Sequence, residues 1–129
     1  MSTLMAVLLN GIAQIEYDRD KPLPEYQGAY LDKMDRKMDE QGIALDGRVI
    51  TEPNLGQKAQ FVSANLAHAI NTDDEAQAAA MCTWLAVRLP ELKQVKIRQQ
   101  GDELSIEFDY ERDYVKQYPV QFAPLQKGN

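Results

Sequence analysis

The chain is short of the residues from which most catalytic and metal sites are assembled. Its 129 residues include one histidine, His68, one cysteine, Cys82, and one tryptophan, Trp84. A single cysteine excludes an internal disulfide and with it a disulfide-stapled scaffold. A single histidine excludes a His-rich metal centre or a histidine pair, and leaves only carboxylates as its partners in acid–base work. The 7 glycines are scattered along the chain without a GxGxxG or Walker spacing, so no phosphate-cradling loop can be read from them. No EF-hand-type loop of alternating acids is present either. No cofactor and no metal site are expected.

Positive charge is also scarce. Against 20 Asp and Glu there are 14 Lys and Arg, a net charge of -6. Nucleic-acid affinity comes largely from Lys and Arg neutralising phosphates. The two basic stretches, 33–37 and 93–98, are interrupted by acidic or apolar residues, so neither nucleic acid nor an anionic membrane is an expected partner. No apolar run approaches the roughly twenty residues needed to span a bilayer. The apolar run Leu4 to Leu9 has no basic residue before it, which argues against a secretory leader and for the cytoplasm. With no repeat or linker, 1–129 reads as a single globular domain whose last residues, from about Gln126, should fray.

What the chain does have is a strongly apolar stretch in Asp73 to Leu89, where Thr83 is the only polar residue from Ala78 to Val87. A helix that is apolar all round is normally buried. We read it as the central helix of the domain, begun by a Thr72–Glu75 capping box and stopped by Pro90. Two further helices precede it. One starts near Pro24 and runs to about Glu40, with Leu23, Tyr26, Tyr30, Leu31, Met34 and Met38 in one stripe and Gly42 ending it. Asp32 and Arg36 lie at i,i+4 on its other side, and Asp32, Asp35 and Asp39 read as a solvated face. The second spans about Leu55 to Ile70, with Leu55, Ala59, Val62, Leu66 and Ala69 facing the core.

Strands are expected on both sides of these helices. Gly101-Asp102 makes a turn that sets Ile97 opposite Ile106, Val95 opposite Phe108 and Lys96 opposite Glu107, a cross-strand charge pair. Asp46-Gly47 marks a second, shorter hairpin. Asn10-Gly11 marks a third, which would set Leu9 opposite Ile12, Ala6 opposite Ile15 and Leu4 opposite Tyr17. Ile12 to Tyr17 reads as strand. Leu4 to Leu9 reads as either strand or helix, because its Leu, Met and Ala favour helix. The expected fold class is α+β: a small antiparallel sheet, including a C-terminal hairpin over Gln94 to Glu111, with three helices packed mainly on one face.

Few side chains then remain for function. His68 lies far round its helix from the core stripe and reads as an ordinary surface residue. Phe61, beside it, is a large aromatic off the stripe and must cover another element, line a pocket or face a partner. Cys82, in an apolar helix, reads as an inert buried thiol. Asp18 and Asp20 form the one acidic pair in a loop. The tail aromatics Tyr114, Tyr118 and Phe122 stand among acids, which favours packing or a protein contact over base stacking. The expectation is a non-catalytic protein-interaction or regulatory module, for a protein partner or for self-association, whose candidate surface comprises Phe61, His68, Tyr114, Tyr118 and Phe122. The alternative is a small-molecule binder or enzyme with a pocket between helices and sheet.

Overall fold

The computed structural model describes residues 3–117. It is an α+β arrangement of a four-stranded sheet, a two-stranded sheet and three helices. The first strands are β1 (Leu4–Leu9) and β2 (Ile12–Asp18), followed by helix α1 (Glu25–Gln41) and the small hairpin β3 (Ile43–Leu45) and β4 (Arg48–Ile50). Helices α2 (Leu55–Asn71) and α3 (Glu75–Arg88) come next, then β5 (Gln94–Gln100) and β6 (Glu103–Asp109).

The large sheet has the order β2-β1-β5-β6. It is mixed, not antiparallel throughout, because β1 pairs in parallel with β5. Parallel neighbours need a crossover, and the segment carrying all three helices supplies it. Leu4–Leu9 is therefore a strand despite its helix-favouring composition. As the inner strand between β2 and β5 it is apolar on both faces, with Met5, Ala6, Val7 and Leu8 all buried. Burial on two faces outweighs a propensity difference of a few tenths of a kcal/mol per residue.

Asn10 and Gly11 do make the tight turn, both at positive φ. The Asn10 amide then continues the sheet: its Oδ1 accepts from the Gln99 N–H at 2.8 Å and its Nδ2 donates to the Gln99 carbonyl at 3.2 Å. Leu9 faces Ile12 as the turn requires, but a bulge after Leu8 shifts the rest of the hairpin. Ala6 faces Glu16, not Ile15, and Leu4 faces Asp18, not Tyr17. The extra residue is Gln14. It lets Ile15 and Tyr17 stay on the same face as Val7 and Met5, where the helices lie; an unbulged register would have turned both away.

The β5–β6 hairpin has the expected register, with Val95 opposite Phe108 and Ile97 opposite Ile106. The described chain does not stop there, since 110–117 continue across the sheet. Lys96 does stand opposite Glu107, yet its ammonium pairs with Asp109 at 3.0 Å. The β3–β4 hairpin turns at Asp46-Gly47, as the sequence predicts, and lies against α2. Gly42 leads into it at φ 74, where a Cβ would come 2.8 Å from the Ile50 carbonyl oxygen. Glycine is required there on both counts.

Helices α2 and α3 cover one face of the large sheet, α2 over β5 and β6 and α3 over β2. Between them and the sheet lies the main core, with Trp84, Leu66, Leu85, Met5, Val7, Val95 and Ile97 all fully or almost fully buried. Asn54 and Gln57 form a reciprocal capping box at the start of α2. At the start of α3 the cap is Asp74, which accepts from the Gln77 N–H, while Thr72 closes α2 by donating to the His68 carbonyl. The expected Thr72–Glu75 box is thus replaced by two devices, because α2 runs on to Asn71 and Thr72 serves that helix first. Ser63 in α2 is fully buried, and its hydroxyl has no hydrogen-bond partner among the described residues.

The opposite face of the sheet is closed by the chain after β6. Asp109 accepts from the Glu111 and Arg112 N–H groups, which turns the chain back over the sheet. Tyr114 then packs on Ala6 and Leu8. Its hydroxyl donates to Glu16 at 2.7 Å. The last described residue of the strap is Gln117, whose side-chain amide accepts from Ala13 N–H at 2.7 Å and donates to the Gly11 carbonyl at 2.9 Å.

Candidate functional site

Helix α1 carries an incompletely covered apolar stripe. Its C-terminal part is covered: Leu31 and Met38 are buried. Its N-terminal part is not, with Tyr26 74% and Tyr30 45% exposed. The apolar surround of α3 is similarly incomplete. Ala79 is exposed and Ala80 and Thr83 are partly so, although the sequence predicts burial on every side. The reason is the residue type. Alanines on α3 do not reach far enough to meet the tyrosines on α1, and a gap is left between the two backbones.

That gap is a groove with two adjoining parts. In the first, Tyr26, Gln27, Tyr30 and Leu31 of α1 face Ala76, Gln77, Ala79, Ala80 and Thr83 of α3 around a volume of ≈ 470 Å³. In the second, α2 joins the wall: Tyr30, Met34 and Lys37 of α1 meet Phe61 and Asn65 of α2 and Ala80 and Met81 of α3 around ≈ 240 Å³. Tyr30, Gln77 and Ala80 belong to both parts and make them one depression. Among the described residues Lys37 is the only charged side chain on these walls. The remainder is aromatic, thioether, aliphatic and amide, with the Thr83 hydroxyl.

Polar contacts hold the walls apart at a fixed distance. Trp84 is fully buried in α3, and its Nε1 donates to Asp35 of α1 at 2.8 Å. Arg88 donates to Asp35 at 2.8 Å and to Asp32 at 2.9 Å. Asp39 pairs with Lys58 of α2 at 2.8 Å. Of the three aspartates that read as a solvated face, Asp32 and Asp39 are exposed as expected while each pairs with a neighbouring helix, and Asp35 is partly buried against α3; Asp32 pairs with Arg88, not with Arg36. A buried indole N–H needs an acceptor, and an acid row on a neighbouring helix was the available signal. Sequence alone does not say which acid, because that depends on how the helices cross.

Of the residues singled out from the sequence, Phe61 lines this groove. His68 is exposed on α2 and is not part of it. Tyr114 is on the far side of the sheet, 6% exposed, with its hydroxyl engaged by Glu16. Tyr118 and Phe122 lie outside the described residues, as does the stretch from Gln126 onward. Phe61, His68 and Tyr114 are thus not brought together. Tyr26, Tyr30, Met34 and Ala80, assigned to the core by periodicity, form the groove instead.

The reactive groups are placed as follows. Cys82 is 1% exposed, and burial pushes its thiol up to about 12, so it is not a thiolate at neutral pH. Burial also raises the Tyr17 hydroxyl and lowers the Arg19 guanidinium, both of which interact electrostatically with Cys82. Arg19 is occupied in donating to the Ala86 and Leu89 carbonyls at the end of α3. Asp18 accepts from Thr3 and from the Asp20 N–H, so the loop acids fold their own turn. Among the described residues no group of three or more His, Cys, Asp or Glu is arranged to hold a metal ion. No helix among them is long and apolar enough to cross a membrane.

Compared with known proteins, the chain matches no family model, no curated protein and no solved structure.

Proposed function

We propose that this chain is a non-catalytic protein-interaction module that takes the apolar stripe of a partner helix into the groove between α1 and α3. The observation that carries the reading is the groove itself, with tyrosine walls standing exposed over a methyl-rich floor. Grooves of this kind bind amphipathic helices through side chains spaced three and four apart. Methionine walls, here Met34 and Met81, adapt to partners of different shape. Exposed tyrosines supply large contact area at low entropic cost, which is why they recur as binding hot spots. The acidic, single-cysteine composition supports a cytoplasmic setting.

The test places a photo-crosslinking residue at Tyr26 in the full chain, in cells. The expected product is one discrete polypeptide, crosslinked through a segment with apolar residues three and four apart. Tyr30→Ala should weaken that association about 30-fold, the effect of losing a hot spot of about 2 kcal/mol. If no polypeptide is captured, and one class of small molecule instead raises the melting temperature of the unmodified chain but not of Tyr30→Ala, the groove is a small-molecule pocket.

A further inference from the structure

The two edges of the large sheet are treated differently. The β2 edge is closed: Gln14 bulges out of register, and the Gln117 amide occupies the Gly11 carbonyl and the Ala13 N–H. Among the described residues the β6 edge is open. All seven residues from Glu103 to Asp109 pair with β5 without a bulge, and no described strand lies on the outer side of β6. No residue among those described hydrogen-bonds the outward backbone groups of Glu103 to Phe108. An edge that is long, regular and unpaired is a template for another strand.

The side chains along this edge define what that strand must be. On the helix side stand Leu104, Ile106 and Phe108, with Leu104 still 39% exposed. On the opposite side stand Glu103, Ser105, Glu107 and Asp109. Lys96 is taken by Asp109, and Arg98 stands on the same face opposite Ser105, but neither Glu103 nor Glu107 has an ion pair among the described residues. A second copy of β6 fits poorly. Antiparallel pairing centred on Ile106 sets Glu103 against Asp109 of the other copy, and pairing centred on Ser105 sets Glu103 against Glu107. Like charges directly opposite destabilise a sheet.

We infer that β6 is a docking edge for an extended segment of a partner protein in which apolar residues alternate with lysine or arginine. The added strand lays its apolar residues beside Leu104, Ile106 and Phe108 and its cations beside Glu103 and Glu107. Backbone hydrogen bonds supply affinity and the alternation supplies specificity. This surface is separate from the α1–α3 groove and stands without it.

The experiment uses the full chain and three labelled seven-residue peptides: one alternating lysine and valine, one alternating glutamate and valine, and the lysine peptide N-methylated at alternate residues. Fluorescence polarisation should show the lysine peptide binding, and binding that weakens with salt. The glutamate peptide should bind at least about tenfold more weakly, as several reversed cross-strand pairs imply. The N-methylated peptide has the same charge but lacks edge hydrogen bonds, and it should not bind. Amide exchange should slow across 103–109 on binding. The double variant E103K/E107K should reverse the order of the lysine and glutamate peptides. Equal binding of the N-methylated peptide, protection elsewhere in the chain, or self-association through β6 would each overturn the inference.

Discussion

On one side of the sheet, Met5, Val7, Val95 and Ile97 are sealed by the interlocked side chains of two helices. On the other, among the described residues, Ala6 and Leu8 pack under Tyr114 on a strap of irregular chain, with Leu4 and Ala13 beside them. The helix side is held by volume: Trp84, Leu66 and Leu85 fill space, and the Trp84 indole is bonded to Asp35. The strap side is held by named polar contacts. Asp109 turns the chain, Tyr114 bonds Glu16, Lys93 pairs with Asp113 at 2.6 Å, and Gln117 clips the far edge. A face closed by volume loses stability in proportion to what is cut away. A face closed by a few polar contacts loses it one contact at a time, and with pH.

The strongest probe of this contrast is Trp84→Ala. It leaves a large cavity and removes the donor from Asp35, and it should cost about 3–5 kcal/mol in urea unfolding. It should also loosen α1, and so enlarge the groove, without touching the strap. Tyr114→Phe keeps the ring over Ala6 and Leu8 and removes only the hydroxyl. We expect a loss of about 1 kcal/mol. Amide exchange should quicken in 110–117 and β2 and stay unchanged in α2 and α3. A loss several times larger would mean that the strap and the helices unfold as one unit.

The smallest effect is acid sensitivity. Hydrogen bonds from the Arg112 and Glu111 N–H groups, and then Lys96, hold the Asp109 carboxyl down to about 2 from an ordinary 3.8. Because its folded pKa is depressed, its contribution is complete above about pH 4 and is lost as pH falls through about 2. The urea midpoint should therefore decline over that window, and Asp109→Asn should flatten that part of the profile. The exchange of 110–117 should respond first.

Legibility from sequence follows the same division. The β5–β6 register, both other tight turns and the positions of all three helices were readable because each depends on residues near in sequence: turn pairs, caps and local period. The Gln14 bulge was not, since its cause is the need of Ile15 and Tyr17 to meet helices that arrive much later. The groove was missed for a related reason. The stripe Tyr26, Tyr30, Leu31, Met34 and Met38 is a sound helical stripe, but periodicity says which side is apolar, not whether the facing helix is bulky enough to fill it. Phe61 was recognisable as an aromatic off the core stripe, while the tyrosines across from it looked like ordinary core.

By itself, then, the sequence determined the element types apart from that of Leu4–Leu9, the local turns and the lack of a histidine or cysteine constellation, because these are set by short-range sterics and by composition. The tertiary structure alone decided that β1 and β5 run parallel, that Asp32, Asp35 and Asp39 grip α2 and α3, and that the alanines of α3 leave a groove. It also decided that, among the described residues, one sheet edge is clipped and the other open. Each of these depends on distances between residues far apart in the chain, and local propensity carries no information about such distances.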